Sequence, residues 1–304
     1  MRIIRKKGIV ILTICFMAIC LAMGCTTTKN MTENIVPGGK ALKKKIAFLP
    51  TVSKIGSGGK DLQKSARTHL ETYLKDFCDD IIIVDSLKTR DLLEKIPRLP
   101  SGQLDNLALV KLGRVLGLNA VLEESISEIE CLEDKRGIWG FRNPCLLGKL
   151  GVRVSALDIA TGAILFDEVV RDEVTVSEHD WQRIKERSGY DREIAEQLLT
   201  KTMDRICQRV CDLLGDSPWT GYISSVSENT FTLTAGEDVG LATGDVLEVF
   251  GANEPIEGHA GQFYLVAKPK IGELRVTGVL KNHAEAIGIL GSDLQNSSCV
   301  RLKR

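Results

Sequence analysis

Apolar and polar positions alternate with three different periods along this chain, and each period marks a region. Residues 9–23 carry no charge at all. Between about residues 44 and 215, short apolar runs alternate with helical stripes. Ile46-Ala47-Phe48-Leu49 and Ile81-Ile82-Ile83-Val84 read as buried strands. Leu62, Ala66, Leu70 and Leu74 recur every four residues and predict a helix that Asp61 can cap. A short helix starts at Asp85 or Ser86 and stops before Pro97. Another runs from Gln103 to Leu116 and ends at Gly117. Asn119 to Ile129 predicts a third strand. Gly151–Ile159 and Ala163–Val170 predict two more, joined at Ala160-Thr161-Gly162. Arg192 to Leu214 carries a stripe of Ala195, Leu199, Met203, Ile206, Val210 and Leu213. The order β-α-β-α-α-β-β-β-α predicts an α+β mixed sheet with helices mostly on one face.

After Pro218-Trp219 the helical period stops. Short strands are predicted at 221–226, 230–234, 245–250, 263–267, 273–280, 284–289 and 299–302, separated by turn residues such as Ser227-Glu228-Asn229. Five to seven strands in so short a length suggest a small closed β-barrel, which leaves no free edge. The expected divisions are 1–24, 25–43, 44–215 and 216–304. Within 25–43, Pro37-Gly38-Gly39 and the polar flanks read as a tether.

The first division is an export signal by pattern. Arg2, Arg5, Lys6 and Lys7 precede the uncharged run, which is shorter than the roughly 20 apolar residues a spanning helix needs. The run ends Leu21-Ala22-Met23-Gly24-Cys25, and this ending resembles a bacterial lipobox. The resemblance implies lipidation of Cys25, which becomes the new N-terminus; Ala22 stands where Leu is commoner. The alternative is an ordinary cleaved signal. Several acyl chains would anchor stably where one would not. Thr26, rather than Asp, follows Cys25, which favours the periplasmic face of the outer membrane.

Cleavage after Gly24 takes four basic residues from a neutral chain and leaves a mildly acidic protein of 280 residues. No basic stripe favours nucleic acid. Six cysteines remain beyond Cys25. An oxidising compartment permits disulfides. Cys131 and Cys145, bracketing a segment with Gly137 and Pro144, are the candidate pair; Cys78, Cys207, Cys211 and Cys299 read as small buried hydrophobes. The loop between that pair holds Ile138, Trp139 and Phe141, a candidate partner contact unless the side chains tuck onto the body.

Chemistry is sparse. Lys54 to Asp61 sits where a phosphate loop would, but Lys54 stands where the motif needs Gly and Asp61 where it needs Ser or Thr. His69, His179, His259 and His283 are scattered, and His69 reads as a packed residue. Glu123 and Glu124 read as an exposed strand face. No nucleophile motif is present, so no catalytic residue, cofactor or metal is expected, and the chain reads as non-enzymatic.

Two stretches resemble a known family. Leu112-Gly113-Arg114-Val115-Leu116-Gly117-Leu118-Asn119-Ala120-Val121 and Val154-Ser155-Ala156-Leu157-Asp158-Ile159-Ala160-Thr161-Gly162 resemble the curli secretion-channel lipoprotein family. That domain recurs in flagellar assembly protein T and in lipoprotein activators of peptidoglycan synthases. Gly240-Leu241-Ala242-Thr243-Gly244-Asp245-Val246 resembles the barrel ending flagellar assembly protein T. The resemblance implies an outer-membrane assembly or scaffold component of an envelope structure, flagellar or secretion-related, with envelope protein partners and a homo-oligomer among its states. It leaves two alternatives: a subunit of an oligomeric secretion channel, and a regulator of a peptidoglycan synthase. The channel needs two spanning hairpins per subunit. Neither 131–145, rich in charge, nor 175–191, which reads as a capped helix, supplies one.

Overall fold

The computed structural model describes residues 41–50, 59–137, 143–186, 192–252 and 254–303. Ala41–Arg304 form one compact unit. It holds a five-stranded mixed sheet with helices and a closed six-stranded antiparallel barrel.

The sheet has the order β2-β1-β3-β4-β5. β1 (Lys44–Phe48) lies parallel to β2 (Ile81–Ile83) on one side and to β3 (Ala120–Arg136) on the other. Every β1 residue is buried, as a central parallel strand requires. β4 (Asn143–Asp158) and β5 (Ile164–Thr175) complete the sheet antiparallel. Helix α1 (Gly59–Phe77) buries Leu62, Ala66, Leu70 and Leu74 completely, and α5 (Arg192–Asp216) buries Ala195, Leu199, Met203, Ile206 and Val210. Both stripes meet one face of the sheet through Phe48, Leu122, Leu150, Val152 and Val154. Leu214 rather than Leu213 ends the buried stripe of α5.

Two shorter helices lie against the other face. α2 (Leu87–Glu94) is capped by Ser86, whose hydroxyl accepts from the Thr89 N–H at 3.0 Å. α3 (Asn106–Val115) begins three residues later than Gln103 because Asp105 caps it, accepting from the Ala108 N–H at 2.9 Å. Leu93 and Leu109 pack with Ala47, Leu49 and Val121.

The barrel closes in the order β11-β12-β7-β6-β13-β8. Its strands are β6 (Gly221–Ser227), β7 (Thr230–Leu233), β8 (Val246–Gly251), β11 (Lys270–Val279), β12 (Ala284–Gly291) and β13 (Ser297–Leu302). Phe231, Leu233, Leu247, Val249, Leu274, Val276 and Val300 fill it. The strand expected at 263–267 is not part of the barrel. It is β10 (Phe263–Val266), paired with β9 (Glu254–Glu257) in a separate ribbon. β9 is short, contains Pro255 and is exposed throughout, so it carries no apolar period to read.

Barrel and sheet share a core. Tyr222, Phe250 and Cys299 join the cluster built on Ala47, Leu118 and Val121. Asn119 bridges the two, accepting from the Lys45 N–H at 3.0 Å and donating to the Thr220 carbonyl at 2.8 Å. At Gly117 the backbone has φ +69°, and a Cβ would stand 2.2 Å from the Thr234 carbonyl oxygen, so only glycine lets the barrel approach. Asn106 donates to the Gly162 carbonyl at 3.2 Å and accepts from the Phe263 N–H at 3.0 Å, docking the ribbon. Leu42, at the end of the stretch read as a tether, is buried in the barrel core, and the Lys43 N–H donates to Val239.

Candidate interaction site: the hairpin arm

β3 and β4 pair without interruption from Ala120↔Asp158 to Arg136↔Asn143, apart from a bulge between Ile126 and Glu128. The segment 131–145, expected as an inserted loop, is therefore mostly strand. β1 covers β3 only as far as Leu122, and β5 covers β4 only from Leu147. The remainder is an arm.

Two devices stabilise the base of the arm. Past Leu122 the edge of β3 would present unpaired amides. The Gln63 side chain of α1 takes that place: it donates to the Glu124 carbonyl at 3.1 Å and accepts from the Ile126 N–H at 3.3 Å. The second device is an ion pair. Glu124, which strand alternation places on an exposed face, is 1% exposed. Arg67 grips its carboxylate with two bonds, of 2.6 and 2.8 Å, and donates to the Leu49 carbonyl at 2.8 Å. The guanidinium also lies 4.3 Å from the centre of the Phe48 ring. Strand alternation alone could not reveal this, because the partner lies 57 residues away on a helix.

Further out, one face of the arm is covered by α4 (Glu178–Glu186), the helix expected within 175–191. Its cap Ser177 accepts from the Asp180 N–H at 3.1 Å. Leu146 and Val174 pack against Val176, Trp181 and Ile194. Beside them Arg136 pairs with Glu173 and Asp134. Mutual hydrogen bonding raises Arg136 and lowers Glu173 from their usual values. Only four register pairs, Glu133↔Leu146 to Arg136↔Asn143, project past β5, fewer than the roughly 9–11 residues of a spanning strand. The sequence also lacks the apolar alternation of a lipid-facing strand: charges cluster at Glu133, Asp134, Lys135 and Arg136.

The candidate disulfide is not formed. Cys131 registers with Gly148 and Cys145 with Asp134. Three register steps separate the two positions, about 10 Å along the strands, and bridging needs Cα atoms within about 7 Å. Cys145 is a free thiol. The bridge that exists joins Cys78, just after α1, to Cys211 on α5, with Cα atoms 5.8 Å apart and a sequence separation of 133. The sequence marks both only as small buried hydrophobes. Cys207 and Cys299 are buried and free, and burial pushes the Cys207 thiol up to about 12.

Cys25, Ile138, Trp139 and Phe141 lie outside the described residues, as does most of the glycine loop 54–61. The described strands of the arm end at Arg136 and Asn143, which pair with each other. His69, which reads from the sequence as a packed residue, is mostly but not fully buried. It pairs with Asp204 at 2.9 Å beside a groove of about 640 Å³ between α1 and α5, lined by Thr68, Thr72, Tyr73, Phe77, Leu199 and Thr200 among others. Among the described residues, no cluster of three or more metal-ligating side chains occurs. Among the same residues, no helix is long and apolar enough to cross a membrane.

No family model and no curated sequence matches the chain. Similar solved structures include a hypothetical protein from Chlamydia trachomatis, at 15% identity over 56% of this chain and 99% of that chain, with a TM-score of 0.34. A minor lipoprotein from Acinetobacter baumannii is 10% identical over 56% of this chain and 93% of its own, at TM-score 0.30. A lipoprotein from Neisseria meningitidis is 11% identical over 54% and 99%, at 0.31. These neighbours include bacterial lipoproteins, at low identity, and none of the three bears a curli or flagellar description.

Proposed function

We propose that this protein is a non-enzymatic lipoprotein, anchored through Cys25 at the periplasmic face of the outer membrane, that serves as an assembly or scaffold component of an envelope structure and engages its protein partner through the hairpin arm. The observation that carries the anchoring is the N-terminal order of four basic residues, an uncharged run over 9–23, and Gly24-Cys25. The Cys78–Cys211 bridge supports it independently, because such bridges persist in oxidising compartments. The arm supports the partner role. It projects past its neighbouring strands, carries charge along its free edge, and brackets Ile138, Trp139 and Phe141 in sequence. The rest of the unit is a scaffold whose core joins sheet and barrel. A flagellar or curli setting rests on the sequence resemblance alone.

The test is fractionation of cells producing Cys25→Ser. The variant should leave the membrane fraction and show no acyl label. Retention in the outer membrane at high salt would contradict the anchor.

A further inference from the structure

The two cysteine pairs described above are in conflict during folding. In the unfolded chain, Cys131 and Cys145 are 14 positions apart, while Cys78 and Cys211 are 133 apart. Loop closure becomes rarer as roughly the three-halves power of length, so the short pair meets roughly 30-fold more often. The folded protein excludes that short bridge, because β3 and β4 hold the two positions three registers apart. A chain oxidised at the short pair cannot zip the arm in its native register.

We propose that the short-loop bridge Cys131–Cys145 forms before the native one, and that thiol–disulfide exchange must transfer it to Cys78–Cys211 before the arm can close. The protein is then a substrate for a dithiol exchange catalyst in the compartment that its leader points to. A disulfide donor oxidises the two thiols of the short pair, taking two electrons and releasing two protons. The Cys78 thiolate then attacks the Cys131 sulfur. The S–S bond breaks, and its electron pair leaves with the Cys145 sulfur, which picks up a proton. The Cys211 thiolate attacks the Cys78 sulfur in turn and expels Cys131. One bridge is lost and one gained, so the transfer consumes no further oxidant.

The native fold makes the product the stable end of this sequence. α1 and α5 pack along their length, which brings the ends of their cysteine-bearing segments to 5.8 Å. Cys78 is only 4% exposed, so solvent thiols reach it poorly. Cys207, one helical turn from Cys211, is buried with its thiol shifted up, which leaves little thiolate to reopen the bridge.

The test is oxidative refolding of the full chain carrying Cys15→Ser, Cys20→Ser and Cys25→Ser, which removes the leader and anchor thiols. The reduced, urea-unfolded chain is diluted into a glutathione buffer, quenched with acid at intervals and mapped by peptides. The expected course is an early Cys131–Cys145 bridge that decays as Cys78–Cys211 rises. Adding Cys145→Ser should abolish the early species and bring the native bridge several-fold sooner, with the final melting temperature unchanged; Cys131→Ser is the second variant, should the first fold poorly. Direct appearance of Cys78–Cys211, at the same rate with and without Cys145, would overturn the proposal. So would a Cys131–Cys145 bridge that persists in folded protein. The proposal rests on the export reading only for its cellular setting. The refolding is read in a tube and the anchor by fractionation, so the two can fail separately.

Discussion

The barrel and the β3–β4 arm are both antiparallel β-structure, and they solve the problem of the strand edge in opposite ways. The barrel closes on itself, and each of its strands finds two neighbours in the ring. Its stability therefore comes from an apolar interior, with Phe231, Leu233, Leu247 and Leu274 at most 1% exposed. The arm leaves edges open. Side chains do there what strands do in the barrel: Gln63 pairs the bare amides, and the Arg67–Glu124 clamp fixes the root. Closure suits a passive support. An open edge guarded by charge suits a part that must remain available to something else.

The largest expected effect tests the clamp. Arg67→Ala leaves the Glu124 carboxylate buried without its main partner, which costs about 3–5 kcal/mol. In a unit of this size that is a fall of roughly 10 °C in melting temperature, measurable by calorimetry. The barrel's ion cluster, Lys270 between Glu248 and Glu273, is the control: Lys270 is exposed and Lys303 still pairs with the buried Glu273 at 2.8 Å, so Lys270→Ala should move the transition far less. Equal effects would erase the distinction between the two regions.

A smaller effect comes from the helix behind the sheet. Asp105→Ala removes the cap of α3 and should cost about 1 kcal/mol by urea unfolding. A value near zero would mean that the Asn106 contacts, not the cap, hold the helix start.

The smallest is the response to acid. Asp85 and Asp167 on the α/β side are held below the usual carboxylate range by hydrogen bonds from Arg90 and Arg153. Burial raises Asp172, but its bonds to Lys201 and Arg205 outweigh this and leave it low. A lowered folded pKa stabilises above the unfolded value, and that contribution is lost as pH falls through the folded one. Stability should therefore be flat above pH ~5 and decline below pH ~4, more steeply in Asp167's native protein than in Asp167→Asn. A decline that begins near neutrality would point to groups other than these carboxylates.

The sequence disclosed these regions unequally, for physical reasons. The barrel was legible because closure demands short alternating strands and turn residues, and both are local signals. The stripes of α1 and α5 were legible because burial on one face imposes a four-residue repeat. The arm was not, because its outer half faces solvent on an open edge: Glu133, Asp134 and Lys135 are exposed, and a bulge at Ile126 breaks the alternation. The same excess of charge made 131–145 resemble a loop. Burial of Glu124 was hidden because an acidic residue reads as exposed until its arginine is found across the fold. Proximity in sequence favoured the Cys131–Cys145 pair, whereas the packing of α1 on α5 decides the bridge.

The most direct measurement of the central claim is in-cell photo-crosslinking from the two regions. A photoreactive residue replacing Trp139, between the two strands of the arm in sequence, is compared with one replacing Ser225, exposed on barrel strand β6. The account expects one discrete crosslinked species in the membrane fraction from position 139 and none from position 225. Crosslinks from the barrel position with none from the arm would contradict it.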